Sequence, residues 1–123
     1  AWEACLSGFE LVRQIHTRIE LLREAMPKQL DLEFFLTREL SPLLVQVETR
    51  ARKLWPGSFY RELARDYQTL SPSDFGFHNA IKTEQGVRFI DFEYFGWDDP
   101  VKLTCDFIIH PGMNLNEKQK YSS

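Results

Sequence analysis

A chain of 123 residues with 43% hydrophobic side chains is long enough for one globular domain with a modest core, and too short for two. The formal net charge of −3, the pI near 5.6 and the lack of any Lys/Arg-rich run exclude the electrostatic footprint of a nucleic-acid partner. No apolar run is long enough to cross a bilayer and no signal-peptide pattern occurs. Cys5, Cys105 and the three histidines His16, His78 and His110 show neither disulfide-framework nor zinc spacing. The expectation is a cytoplasmic protein with reduced thiols and no membrane partner.

Apolar residues at Phe9, Val12, Ile15, Ile19 and Leu22 recur at helical period, so Leu6 to Met26 is a predicted helix, closed by Pro27. Such a stripe reads as core, and His16 beside it as a surface or hydrogen-bonded histidine. A second helical stretch runs from Asp31, its expected N-cap, to about Leu54, with Phe34, Phe35, Leu40, Leu43, Leu44 and Val47 as candidate core residues. Ser41-Pro42 interrupts it: either the helix kinks, or a new one begins with Ser41 as cap and Pro42 at its first position. Arg50, Arg52 and Lys53 complement the dipole at its end. Trp55-Pro56-Gly57 stops it, and Ser58 is expected to cap a short helix through about Asp66.

From Tyr67 the pattern changes to turns and short strands. Ala80-Ile81-Lys82-Thr83, Glu84-Gln85-Gly86 and Val87-Arg88-Phe89-Ile90 read as strand, three-residue turn and strand. Asn79 and Asp91 then face each other at the open end of the hairpin, within a residue of register, with Cα atoms roughly 4.5 to 5.5 Å apart. One magnesium ion can bridge that spacing, taking an amide and a carboxylate oxygen beside substrate phosphates, with Asp74 a few residues upstream. Gly96-Trp97-Asp98-Asp99-Pro100 reads as a turn into a last helix. Asp99 is its N-cap, Pro100 its first position, Asp98 an added charge at that end and Pro111-Gly112 the stop. The tail Met113 to Ser123 is expected to fray. Phe92 is expected to pack in the core and fix the loop, while Phe77 and Trp97 line either a pocket or the hairpin core. Taken singly, Asp74, Asn79 and Asp91 suit turns, caps and strand ends. Their joint order and spacing suit a magnesium–phosphate site.

The segment from about Leu70 to Pro111 resembles the catalytic core of the aminoglycoside phosphotransferase and choline kinase families, which share the protein-kinase-like fold. Asp74, Asn79, Ile90-Asp91-Phe92-Glu93-Tyr94 and Gly96-Trp97-Asp98-Asp99-Pro100 carry the likeness. It implies that Asp74 is the catalytic base, that Asn79 and Asp91 bind Mg2+ on the phosphates of ATP, and that the acceptor is a small hydroxyl-bearing molecule. The implied fold is a single α+β, mainly α domain over residues 1–123, the C-terminal lobe of a kinase-like protein, with helices flanking one small antiparallel hairpin. Residues 1–66 form its helical part, 67–111 the catalytic loop, hairpin and following helix, and 112–123 the tail.

Two positions depart from the family pattern: Pro72-Ser73 replaces His-Gly before the catalytic Asp, and Leu103 stands where the family often has Asp, with Asp106 three residues later. No strand-borne lysine or phosphate loop precedes the helices and the chain begins at Ala1, so an N-terminal lobe of the same protein is the expected missing partner. The chain alone is then expected to transfer no phosphoryl group. Two other readings stand beside this one: a non-catalytic pseudokinase-like binding module, suggested by Pro72-Ser73, and a helical interaction domain whose motif match is accidental.

Overall fold

Ser7 starts the first helix: its backbone is extended and its hydroxyl accepts the Glu10 amide hydrogen at 3.1 Å, an N-cap for α1 (Gly8–Ala25). The computed structural model describes residues 4–121. In the first turn, Glu10 receives Arg13 at 2.8 and 2.7 Å and Gln14 at 3.1 Å. The Arg13 and Gln14 hydrogen bonds hold its carboxyl down at about 2. Any stabilisation from this group is complete above the unfolded carboxyl value of 4.5 and is lost as pH falls through about 2. Gly8 lies so close to Phe59 that an added Cβ would sit 2.4 Å from the ring, and the Phe9 amide donates to the Phe59 carbonyl at 3.0 Å. The helix start and the Phe59 turn are thereby fastened together.

The second helical stretch continues through Ser41-Pro42. Helix α2 (Leu30–Phe35) passes into a π-helical turn at Leu36–Leu40 and then α3 (Ser41–Leu54), with Ser41 in right-handed helical backbone and its amide bonded to the Leu36 carbonyl. Pro42 supplies no N–H and its ring crowds the carbonyl one turn back, and the wider π turn absorbs both defects without ending the helix. Asp31 is not the cap: Gln29 holds that position without a side-chain bond, leaving Asp31 as favourable charge in the first turn. Ser58 caps no helix either. Its carbonyl and hydroxyl close a turn onto Arg61 and Tyr60, and the helical character expected through Asp66 is one 3-10 turn at Arg65–Tyr67.

The expected helical core is much thinner than its periodicity implies. Leu36 and Phe59 are buried, whereas Phe9, Leu22, Phe34, Phe35, Leu43 and Val47 stay exposed. Leu6–Glu62 forms one compact unit, and these apolar side chains of its helices remain open to water. Arg52 does more than complement a dipole: it bonds Glu48 at 3.0 Å, reaches the Tyr60 hydroxyl at 3.4 Å and lies 4.2 Å over the Phe59 ring. His16 sits on the surface, 3.4 Å from Glu48.

The second unit comprises Leu63–Ser123 with the described part of Ala1–Cys5, so the division falls close to the change of periodicity at Tyr67. It holds two antiparallel strand pairs where one hairpin is predicted. β1 (Thr69–Ser71) pairs with β4 (Gly96–Asp98), and β2 (Ala80–Thr83) pairs with β3 (Gly86–Phe89). The fold is thus α+β and mainly helical, but Gly96-Trp97-Asp98 is a strand and not a turn. The hairpin loop is one residue shorter than predicted, since Gly86, at φ +120°, already pairs with Thr83. Thr83 stabilises this turn by donating to the Gly86 carbonyl at 2.9 Å and accepting from the Gln85 amide at 3.3 Å.

Helix α4 (Pro100–Ile109) has the expected cap, Asp99, accepting from the Val101 amide at 2.7 Å. Asp98 is more than a charge near that end. It is 1% exposed and accepts the Cys5 amide at 3.0 Å and the Asp99 amide at 2.8 Å, with the Lys102 ammonium 3.5 Å away. Lys102 also binds Asp106 at 2.6 Å; these carboxylates raise its pKa against the opposing, larger single effect of burial. Beyond α4 the tail does not simply fray: Met113 is buried and Glu117–Tyr121 form a short helix α5. Phe92 is half exposed, in edge contact with Phe95, and does not serve as a core anchor. Cys5 and Cys105 form no disulfide, and among the described residues no helix is long and apolar enough to cross a membrane.

Removing Asp98 leaves two amide donors and an ammonium without their shared acceptor. Denaturant unfolding of the chain is expected to show Asp98→Ala destabilised by roughly 3–5 kcal/mol, against about 1 kcal/mol for loss of the Asp99 cap. Equal costs for the two variants would refute the anchoring role of Asp98.

Candidate active site

The segment Ser71-Pro72-Ser73 delivers Asp74 by a tight reversal. Ser71 is 2% exposed at the end of β1, and its hydroxyl accepts from the Ser73 amide at 3.1 Å. Ser73 takes φ 65°, donates its hydroxyl to the Tyr94 carbonyl at 3.0 Å, and is followed by an Asp74 amide bonded to the Pro72 carbonyl at 2.9 Å. A non-glycine residue at positive φ is strained and persists where surrounding bonds enforce it. Here the Tyr94 bond does so. Phe75 then packs on Phe89 and Phe107, with ring centroids 4.5 and 5.7 Å away, which seats the loop on β3 and α4.

Gly76 is extended, so its backbone does not demand glycine, but its surroundings do. A Cβ there would lie 2.6 Å from the His78 ring and 3.0 Å from the Met113 sulfur. A 3-10 turn over Phe77–Asn79 follows, closed by the Asn79 amide on the Gly76 carbonyl at 3.0 Å. The Asn79 side-chain nitrogen donates to the Asp74 carbonyl at 2.9 Å and to Asp74 Oδ2 at 3.3 Å. Because the nitrogen is committed there, the Asn79 amide oxygen faces away from Asp74 as an acceptor or ligand.

The Asn79 carbonyl accepts the Ile90 amide hydrogen at 2.8 Å, so Asn79 stands opposite Ile90 and Asp91 one residue beyond, inside the predicted register tolerance. Asp91 leaves the hairpin at φ 65° and is exposed. Among the described residues its carboxylate takes part in no hydrogen bond or ion pair. An amide oxygen and an uncommitted carboxylate are hard oxygen donors, and as a set they fit Mg2+.

Sequence reasoning missed two histidines. His78 Nε2 is 2.9 Å and His110 Nε2 3.6 Å from Asp74 Oδ1, and the two imidazoles stack at 4.3 Å and 7°. Metal-ligand spacing gives no hint of this pair, because α4 closes the gap between them in space. The one legible cue is local: His110-Pro111-Gly112 ends α4 by accepting the Gly112 amide on His110 Nδ1 at 3.0 Å. Asp106 pairs with Lys102 and takes no part here. The Arg65 guanidinium lies over the Trp97 ring, 3.4 Å from its centroid, and both Trp97 and Phe77, the latter beside Phe107, remain exposed. An apolar groove of about 530 Å³ lined by Phe9, Val12, His16, Leu21 and Arg52 belongs to the helical unit and includes none of Asp74, Asn79 or Asp91.

Comparisons of the chain with protein-family models, curated proteins and solved structures each give no match.

The close approach at Gly76 makes a specific prediction. Gly76→Ala is expected to lower stability in denaturant unfolding by roughly 1–3 kcal/mol, the usual cost of overpacking. Gly76→Ala with His78→Ala is expected to cost less than the two single changes added together, since the ring that collides is gone. Strict additivity would mean that the alanine methyl never meets His78.

Proposed function

We propose that the chain carries the catalytic loop and metal-binding hairpin of an ATP- and magnesium-dependent phosphotransferase that phosphorylates the hydroxyl of a small molecule. The observation that carries this reading is the Asn79 side chain bonded to Asp74 while its backbone fixes the hairpin that ends at Asp91. In phosphoryl transfer the protein mainly positions groups and balances charge. Asp74, with its side chain 53% exposed, is accessible to an acceptor hydroxyl and suited to orient it and take its proton. Asn79 and Asp91 would hold Mg2+, which when bound neutralises charge on the nucleotide phosphates.

Pro72-Ser73, where the resembled families have His-Gly, is the departure that motivates the pseudokinase-like alternative, and catalysis in this chain requires another way of holding the loop. The Ser73 bond to the Tyr94 carbonyl supplies a local means of holding the loop. Within this reading the chain corresponds to the C-terminal lobe of a protein-kinase-like fold. An N-terminal lobe covers the nucleotide, and the cytoplasm provides ATP. Acceptors used by relatives of this architecture include aminoglycosides, choline, sugars and amino-acid-derived alcohols. The alternative, a pseudokinase-like binding module, retains the same residues without turnover.

Kinetics of the complete protein separate the two. Asp74→Asn is expected to lower kcat by on the order of 10²- to 10⁴-fold with little change in nucleotide affinity. Asp91→Asn is expected to weaken magnesium-dependent nucleotide binding as well. Full activity in Asp74→Asn removes the proposed base, and unchanged magnesium dependence in Asp91→Asn removes the proposed ligand. Nucleotide binding without transfer by the wild type would favour the pseudokinase-like module.

A further inference from the structure

The protonation of the two histidines follows from their partners. His110 Nδ1 accepts the Gly112 amide hydrogen at 3.0 Å, so that nitrogen presents its lone pair and the ring proton of a neutral imidazole resides on Nε2. That Nε2 faces Asp74 Oδ1 at 3.6 Å, an electrostatic contact longer than a hydrogen bond. An ionised carboxylate only accepts. His78 Nε2, 2.9 Å from the same oxygen, therefore carries a hydrogen too. Both imidazoles present an Nε2–H to Oδ1, while Asn79 donates to Oδ2 at 3.3 Å.

The surroundings keep both rings in place. They stack at 4.3 Å and 7°, each ring lying against a face of the other. A Cβ on Gly112 would lie 3.0 Å from His110 Nδ1 and 3.1 Å from His78 Nδ1, and one on Gly76 would strike the His78 ring at 2.6 Å. Glycines on both sides thus admit a pair that larger residues would displace.

Asp74, His78 and His110 place their ligand atoms within 4.8 Å of one another, and two imidazoles with a carboxylate is the composition of a transition-metal site. One observation opposes that use. A metal takes the lone pair of Nε2, whereas the Gly112 amide keeps the proton on that atom of His110.

We propose that His78 and His110 form a stacked donor clamp on Asp74, holding Oδ1 so that Oδ2 is presented to the acceptor hydroxyl. They are positioning residues. They are not a proton relay, because each Nε2 already bears the hydrogen it would have to accept. The orientation for phosphoryl transfer rests on the function proposed above, whereas the clamp itself rests only on geometry.

Two measurements test it separately. In 15N-histidine spectra of the 123-residue chain at mildly alkaline pH, His78 and His110 are expected to show protonated Nε2 and unprotonated Nδ1. Nδ1–H on His110 overturns the clamp, as does one equivalent of Zn2+ shifting both Nε2 signals in the wild type while leaving the His110 signal of His78→Ala unmoved. In the complete protein, His78→Ala and His110→Ala are each expected to lower kcat roughly 10- to 100-fold, the scale seen when an orienting partner is lost. The KM for ATP should hardly change. His78→Gln, which restores an N–H donor, should recover most of the loss; a Gln variant no better than Ala overturns the positioning role. If the wild type transfers no phosphate, the functional reading fails while the ring spectra still decide the clamp.

Discussion

One residue joins the loop to the hairpin. The Asn79 amide closes the loop from Asp74 onto itself, and the Asn79 carbonyl receives the first hydrogen bond beyond the β2–β3 ladder. A substitution that removed the side-chain amide would free the Asp74 carbonyl and take away the donor on Oδ2, leaving the carboxylate to the histidines on Oδ1. The position of Asp91 depends on the same residue through register, since a one-residue slip of a hairpin reverses every side chain. Local hydrogen bonding therefore sets the relation between the candidate base and the candidate metal ligand.

Around this loop the unit is built from polar anchors more than from bulk apolar burial. Asp98 ties β4 to Cys5 and to the start of α4, and Ser71 and Ser73 shape the approach to Asp74. Burying a carboxylate is costly unless donors surround it. The Asp98 donors come from two chain segments, so satisfying that one acceptor fixes their mutual arrangement. The aromatic set Phe75, Phe89 and Phe107 adds packing beneath the loop.

Features encoded over a few neighbouring residues were legible in the sequence. Helical period and Pro27 delimit α1 to within two residues at its start, Asp99-Pro100 opens α4, and alternation around Gly86 locates the hairpin. The β1–β4 pair was not legible, because each strand has three residues and its partner lies across the hairpin. The histidine clamp was hidden for the same reason, being created by the return of α4. Periodicity identified the apolar faces of α1 and α3 but not their burial, which depends on what packs against them. Asp74, Asn79 and Asp91 were named from order and spacing. Their hydrogen bonds required the fold.

The most direct test of the site is where a divalent ion settles. Mn2+ prefers the same hard oxygen ligands as Mg2+ and broadens nearby resonances. With Mn2+ and ATP added, the Asn79 side-chain amide and the Asp91 backbone amide are expected to broaden first and together, and Asp91→Asn to abolish the effect. Sharp Asn79 and Asp91 signals alongside broadening elsewhere would contradict the account.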